Sequence, residues 1–476
     1  MLNKNENFSA ITYTIAVLFP SNLYKVRSPM QNTKKLALAV LVQTALISTA
    51  FASEQSESKG FVEGAEGSVL FRTGYLNRDK TNYRDNTTGL EKQEDDTSSA
   101  AQTAMVKIES GYTQGIVGFG VGVIGDGSFK LGKNNHAGNQ MIPLHNDGDK
   151  DANGHVDAYD HWGRGGGIVK ARISNTEVRY GTQVLDLPVL ASNTGRMVPE
   201  YFTGTLLTSH EIKNLEIVAG KFTKNQMSDQ IKTDADVNGN GLDRAIVWGA
   251  KYKFDDNLNA SYYGLDSKNA LERHYVNVNF KQPLANDSSL TYDLSAYHTK
   301  FDEAANTYSQ TTDNLSDRKN DIWALSTAYN TGAHNIMVAY QQNSGNVGYD
   351  YGQNADGFQS IYLPNSYLSD FIGNDEKSAQ IQYSLDFGKL GILPGLNWTT
   401  AFVYGWDIKV KDMTNDAQEH EFFNQVKYTV QSGFAKDASL RLRHSYYRAS
   451  DEYQTNAYIG DTNEWRVWLD IPVKFF

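Results

Sequence analysis

The stretch Leu440-Arg441-Leu442-Arg443 alternates between leucine and arginine, and Trp465-Arg466-Val467-Trp468-Leu469-Asp470-Ile471 repeats the arrangement near the C-terminus. Successive side chains of a β-strand point to opposite faces, so each stretch predicts a strand with one apolar face and one charged face. The leucine face requires an apolar surrounding, whereas the arginine face requires water or a polar neighbour. These strands are therefore predicted to separate an apolar medium from a polar one.

The same alternation continues through most of the chain, interrupted by Asn/Asp/Gly clusters. Short interruptions, such as Asp255-Asp256-Asn257 and residues 330–334, alternate with long polar ones such as residues 125–163. One amphipathic strand alone would also suit a soluble β-sheet. The unbroken pattern, the alternating turns and loops, and the terminal Phe475-Phe476 together favour an all-β fold, a transmembrane antiparallel β-barrel.

The N-terminal region has the features of an export signal. From Met30, Lys34-Lys35 precede an apolar run that ends in the small-residue pattern Ala50-Phe51-Ala52. This order is typical of a secretory signal peptide, and we predict one at residues 30–52 with cleavage after Ala52.

Composition excludes several classes of protein. The 476-residue chain has a formal net charge of −11 and no cysteine. An acidic exported chain argues against a nucleic-acid partner, and without disulfides stability must come from burial and hydrogen bonds. After a leader of residues 1–52 (an upstream extension plus the signal peptide), no run approaches the ~18–20 apolar residues of a spanning helix, whereas a spanning strand needs only ~9–11. Residues 53–476 are predicted to form one barrel domain in the bacterial outer membrane.

Four motifs follow one another along the chain: Arg72-Thr73-Gly74-Tyr75-Leu76-Asn77-Arg78-Asp79, Ser110-Gly111-Tyr112-Thr113-Gln114-Gly115, Pro188-Val189-Leu190-Ala191-Ser192-Asn193-Thr194-Gly195-Arg196 and Asn463-Glu464-Trp465-Arg466-Val467. In this order they resemble the OprD-type substrate-specific outer-membrane porins. The resemblance implies a barrel of about 18 strands with an infolded constriction loop. It also implies facilitated diffusion of small solutes, with no required cofactor and no enzymatic activity.

The cations of the last strands are candidate pore residues. Alternation places Arg441, Arg443 and Arg466 on the face away from leucine, which in a barrel is the lumen. The resemblance assigns them, with Lys427, to the family's ladder of basic side chains. Such a ladder would pass small carboxylate-bearing solutes, such as amino acids and aromatic or other organic acids. Alternatively, Arg441 and Arg443 pair with lumen carboxylates such as Asp470 and stiffen the wall.

Two further pairs of residues are candidates for the pore. By resemblance, Arg196 and Asp370 belong to the constriction, where opposite charges across the pore would orient a dipolar solute. By alternation, Lys170 and Arg172 share a face with Ser174 and are predicted to line the wall. The alternative for all of them is an ordinary role as polar wall residues.

Two Asp/Asn/Gly loops have the spacing of calcium-binding loops. In the first, oxygen-bearing side chains occupy the positions of EF-hand ligands: Asp149, Asp151, Asn153, Asp157 and Asp160. The second loop begins in the same way, with Asp234, Asp236 and Asn238. Ca²⁺ bound there would order extracellular loops, although plain surface turns have the same composition.

The resemblance also implies the partners of the chain. These are small anionic or zwitterionic solutes, outer-membrane lipid and lipopolysaccharide, and the barrel assembly machinery, for a monomer or weak trimer. Two other functions stay open, an outer-membrane barrel hydrolase and a porin for neutral sugar-like solutes. A hydrolase would need a nucleophile with a histidine in reach, and no spacing of His161, His210, His444 and Ser445 indicates one.

Overall fold

The computed structural model describes most of the chain after the leader. The described residues are 53–81, 83–84, 91–92, 95–233, 242–305, 307, 311–351, 361–454 and 460–476. The leader, residues 1–52, lies outside them, so its cleavage stays a prediction.

Eighteen strands form the main sheet. They are β1 (Glu66–Lys80), β2 (Thr97–Glu109), β3 (Val117–Lys130), β4 (His161–Ile173), β5 (Thr176–Gln183), β6 (Tyr201–Ile212), β7 (Leu215–Gln226), β8 (Ala245–Lys253), β9 (Leu258–Ser267), β10 (Leu271–Pro283), β11 (Ser289–Phe301), β12 (Lys319–Thr331), β13 (His334–Gly345), β14 (Lys377–Asp386), β15 (Leu396–Ile408), β16 (Ala417–Thr429), β17 (Ser439–Ala449) and β18 (Thr462–Lys474).

The sheet closes on itself. Each strand pairs antiparallel with the next along the chain, and β18 pairs with β1, from Ser68 opposite Lys474 to Lys80 opposite Thr462. A closed sheet leaves no strand edge unpaired, which is the condition under which strands can cross a membrane. The predicted all-β, antiparallel barrel is therefore confirmed, with 18 strands.

The connections differ between the two ends of the barrel, as predicted. At one end, here called the turn end, short turns such as residues 174–175 and 332–333 join the strands, and β1 begins where β18 ends. At the other end, the loop end, connections such as residues 131–160 and 346–376 are long. One loop-end connection, residues 268–270, is as short as a turn.

The long loop predicted at residues 125–163 was too long. β3 continues to Lys130 and β4 begins at His161, with Gly125 opposite Gly165 in the ladder. Both strands are rich in glycine here, so their sequence shows no side-chain alternation although their backbones pair. The loop proper comprises residues 131–160.

The two faces of the wall are inverted relative to a soluble protein. Apolar side chains such as Val169, Leu442 and Leu469 are exposed on the outer face, whereas polar ones such as Thr103 and Arg273 are buried on the inner face. An outer apolar face suits lipid, and a polar interior suits a solute path. No helix within the described residues is long and apolar enough to span a bilayer.

Residues 184–200 fold into the barrel interior, as the resemblance implied. A short ribbon pairs Asp186–Leu187 with Leu190–Ala191, and Val189 between them is fully buried. On one side the hydroxyl of Tyr297 donates to the carbonyl of Pro188 at 3.0 Å. On the other side Met197 packs in an apolar cluster with Trp468. This infolded loop therefore reaches from β11 to β18.

Gly74 of β1 permits the infolded loop to approach the wall. A β-carbon at this position would lie 2.5 Å from Met197 Sδ and 2.5 Å from the ring of Trp468. We expect Gly74→Val to lower the free energy of unfolding by about 1–3 kcal/mol, because such overpacking displaces both side chains. Urea unfolding of the refolded barrel measures this. A β-carbon at Gly127 would meet no atom within 4 Å, so an equal loss in Gly127→Val would contradict the explanation.

Candidate pore site

The cations predicted for the ladder lie side by side on the inner wall. Lys427 of β16 is opposite Arg441 of β17, and Arg443 is opposite Arg466 of β18. Leu440 and Leu442, which alternate with the β17 arginines, are exposed on the outer face. Arg466 Nη1 donates to the carbonyl of Gly195 at 3.4 Å, which places this face toward the infolded loop.

Three of the wall arginines are paired with carboxylates. Arg466 pairs with Glu464 of the same strand, with Nη2 to Oε2 at 3.0 Å, and Glu464 also accepts from Arg78 Nε at 2.8 Å. Asp470 accepts from Arg72 at 2.7 and 3.0 Å. Asp470 is therefore the ion-pair partner of Arg72 rather than of the β17 arginines. These pairs stiffen the wall where the barrel closes.

The other three ladder cations are not paired in this way. Within the described part of the chain, Lys427, Arg441 and Arg443 form no ion pair shorter than 4.0 Å. The guanidinium of Arg443 lies over the ring of Phe423, 4.9 Å from its centroid. Its buried Nε and Nη2 atoms have no hydrogen-bond partner among the described residues. Arg443 is thus held by a cation–π contact that leaves donors open.

A buried arginine fastens the infolded loop to the wall. The side chain of Arg164 in β4 is fully buried and donates to the carbonyls of Pro199 and Met227, each at 2.6 Å. It also pairs with Asp126 of β3 at 3.1 Å, and Tyr201 donates its hydroxyl to the same carboxylate at 2.9 Å. One guanidinium therefore joins two loop backbones to the strands beneath them.

Arg196, predicted at the constriction, lies within the loop packing. Only 2% of its surface is exposed, and Nη2 donates to Gln140 Oε1 of the loop at residues 131–160, at 3.1 Å. Its carbonyl accepts from Arg72 Nη1 at 3.0 Å. Its backbone thus contacts the wall while its guanidinium points to a neighbouring loop.

Asp370, predicted to oppose Arg196, is also enclosed. It is 5% exposed and accepts hydrogen bonds from Tyr351 and Ser366. Burial raises the pKa of its carboxyl, while the charges of Arg443 and Arg466 act in the opposite direction. Asp370 therefore lies on the ladder side of the pore. The structure does not bring it together with Arg196 as two opposed, solvent-facing charges.

Lys170 and Arg172 lie on the interior wall near the turn end. Lys170 donates to Glu109 at 2.8 Å, and Arg179 pairs with the same carboxylate at 3.0 Å. Both predicted residues also lie over the ring of Tyr112, with Arg172 4.1 Å from the centroid. They border a cavity of about 1000 Å³ in which acidic and basic side chains alternate. Their charges are engaged with neighbours, unlike those of the open ladder cations.

The residues of the first candidate calcium loop are not brought together. Asp151 accepts from the backbone N–H groups of Asn153 and His155 at 2.8 and 2.9 Å, and Asp160 pairs with Lys130 at 2.8 Å. Asp149 and Asp157 are exposed. No group of three or more His, Cys, Asp or Glu side chains suited to a metal ion occurs in the described ranges. The second loop, with Asp234, Asp236 and Asn238, lies outside those ranges, so calcium there stays a prediction.

Several residues that shape the site were not identified from sequence. Arg72 lies within a motif that carried the resemblance, but nothing local distinguishes it from a solvated arginine. Arg164 lies in a glycine-rich stretch without alternation. Glu200, at the end of the infolded loop, is fully buried and accepts from Asn193 N at 3.3 Å and from Asn225 Nδ2 at 2.9 Å. Their partners are distant in sequence, so only the fold reveals these roles.

Arg164→Lys tests the fastening of the infolded loop. Lysine retains a charge for Asp126 but lacks the planar fork that reaches the carbonyls of Pro199 and Met227 as well. We expect a larger and noisier single-channel conductance in planar bilayers, because the loop is less firmly held. Lys213→Arg, in the exposed turn between β6 and β7, is the control. Unchanged conductance in Arg164→Lys would show that other contacts suffice.

Glu200 is expected to make the free energy of unfolding depend on pH. Burial raises its pKa from 4.5 to about 8. The folded protein therefore holds a proton that the unfolded chain releases above about pH 4.5, so this contribution to stability falls as pH rises from 4.5 to 8. We expect wild type to lose on the order of 1 kcal/mol or more relative to Glu200→Gln between pH 5 and pH 8 in urea unfolding. Parallel pH profiles would contradict this, and Glu57→Gln, at an exposed site, is the control.

Comparison with known proteins gives one consistent result. The family model described as outer membrane porin, OprD family, matches residues 59–475. Porin D of Pseudomonas aeruginosa is 34% identical over 451 residues, which cover 90% of this chain and 95% of the relative. The relatives are channels rather than enzymes.

Solved structures of similar proteins lead to the same family. The crystal structure of Acinetobacter baumannii OccAB1 is similar with a TM-score of 0.82 and 76% identity, covering 89% of this chain and all of that one. The structure of Pseudomonas aeruginosa OpdK with vanillate has a TM-score of 0.72 and 25% identity, covering 87% of this chain and all of that one. The chain therefore belongs to the OprD family of outer membrane porins.

Proposed function

We propose that this porin passes small carboxylate-bearing solutes, such as amino acids and aromatic or other organic acids, along Lys427, Arg441 and Arg443. The observation that carries the proposal is the open state of these cations. Arg466 and Arg72 have carboxylate partners, whereas Arg443 is held by the ring of Phe423 and has two buried donors that no described residue fills. A solute carboxylate would supply the acceptor that the wall does not.

The register supports transfer along the wall. Arg441 and Arg443 lie on the same face of β17, and Lys427 of β16 is opposite Arg441. Successive inward residues of a strand lie about 7 Å apart, so a carboxylate could contact one guanidinium before leaving the previous one. Several weak sites in series allow faster transit than one deep site. The exposed Lys427 would receive solute more readily than Arg441 and Arg443, which are both only partly exposed.

The acidic composition of the chain does not oppose this proposal. The net charge is −11, but the Debye length is about 8 Å at physiological salt, so the potential along the pore depends on nearby side chains. Vanillate, which the OpdK structure contains, is itself a carboxylate. That relative therefore supports the same solute class for this chain.

Neutralising the open cations tests the proposal. We expect Arg441→Gln combined with Arg443→Gln to reduce anion preference, measured as the reversal potential across a salt gradient, and to slow carboxylate entry in liposome swelling. Lys213→Gln, which removes an exposed cation in the turn between β6 and β7, should leave both unchanged. Unchanged selectivity and swelling in the double variant would reject the ladder, and swelling only with neutral sugars would favour a porin for sugar-like solutes.

A further inference from the structure

Residues 366–371 of the long loop between β13 and β14 lie against the inner wall beside the ladder. Tyr367 stacks on Phe423 with ring centroids 4.3 Å apart, and its hydroxyl donates to Gln382 at 2.7 Å. The ring that supports the guanidinium of Arg443 therefore also supports this loop segment. The loop and the ladder share one wall residue.

Glu421 of β16 fastens the same segment through its backbone. The side chain is fully buried. Its two carboxylate oxygens accept the N–H of Leu368 at 3.0 and 3.1 Å, and one of them accepts the N–H of Ser369 at 3.0 Å. Two amide donors thus occupy the carboxylate. Neither donor carries a charge that would neutralise it.

The carboxylate of Glu421 and the guanidinium of Arg443 are neighbours that do not pair. Glu421 and Phe423 are consecutive inward residues of β16, and the guanidinium of Arg443 lies over the ring of Phe423. Within the described ranges no ion pair shorter than 4.0 Å joins them. Opposite charges in a low-dielectric interior attract strongly, so something must hold them apart. Arg443 is opposite Gln425 whereas Glu421 is opposite Tyr447, so Phe423 lies between the two charges, and the amide hydrogen bonds from Leu368 and Ser369 hold the carboxylate toward the loop.

We propose that Glu421 is a positioning residue of the pore: by binding the backbone of Leu368 and Ser369 it is withheld from Arg443, which stays open to a solute. Docking of residues 366–371 and anion affinity are then coupled. With the segment docked, the carboxylate is occupied by amides and the guanidinium is open. With the segment released, the carboxylate of Glu421 pairs with Arg443, so that this cation is no longer open to a solute. This inference rests on the proposed transport of carboxylates.

Two substitutions of Glu421 separate this role from simple packing. Glu421→Gln retains an oxygen for the loop amides and removes the competing charge, so the anion-to-cation permeability ratio should rise. Glu421→Asp retains the charge but shortens the side chain, so the carboxylate loses the loop amides and becomes free to pair with Arg443. The ratio should then fall, each change being roughly twofold for one partly screened charge.

The decisive result is that the anion-to-cation permeability ratio changes in opposite directions in Glu421→Gln and Glu421→Asp. A residue that only packs the loop would change the ratio in the same direction in both variants, and that outcome would overturn the proposal. Asp256→Asn, which removes an exposed carboxylate in the turn between β8 and β9, is the control and should leave the ratio unchanged. Heat-modifiable gel mobility confirms that each barrel is folded.

Further variants distinguish a failure of this proposal from a failure of the proposed function. Leu368→Pro removes one of the two loop amides without touching the wall, and it should lower the anion preference in wild type but not in Glu421→Gln. Equal loss in both backgrounds would assign the effect to loop distortion and reject the coupling. Arg443→Gln tests the ladder itself. If it lowers anion preference while the Glu421 variants shift together, the transport proposal stands and the coupling fails.

Discussion

The rest of the structure depends on the pairing of every backbone polar group within the wall. Inside lipid no water can satisfy a strand edge, so the sheet must close, and it does so where β18 meets β1. Closure brings the first and last strands together, and with them Arg78 and Glu464, and Arg72 and Asp470. The ion pairs of the wall are thus a consequence of the closure that the membrane requires.

The same constraint extends to the loops that fold inward. A loop inside a barrel carries carbonyls with no ladder partner, and buried arginines satisfy many of them. Arg164 donates to two loop carbonyls, Arg72 to one, and Arg318 to the carbonyls of Asp302 and Glu303. A planar guanidinium with five donors suits this task because one side chain can join a strand to several loop segments. Of these, Arg164 and Arg72 fasten the infolded loop.

The described cations of the wall divide into paired and open ones, and the proposed transport role falls to the open ones. Arg466 and Lys170 have carboxylates, whereas Lys427, Arg441 and Arg443 do not within the described residues. The carboxylate that could neutralise Arg443 is bound by amides of a loop. A pore can therefore be selective for anions while the chain as a whole is acidic.

The sequence alone determined the barrel, the inward face of its cationic strands and the family, because strand alternation is local and side-chain direction follows from it. Arg441 and Arg443 could be placed on the inner face without any structure. The tertiary structure decided which cations are neutralised, because pairing depends on register between strands that are distant in the chain, as for Arg72 and Asp470. It also enclosed Arg196 and Asp370 and left the calcium-like side chains of residues 149–160 apart, because loop packing sets those positions and sequence spacing does not.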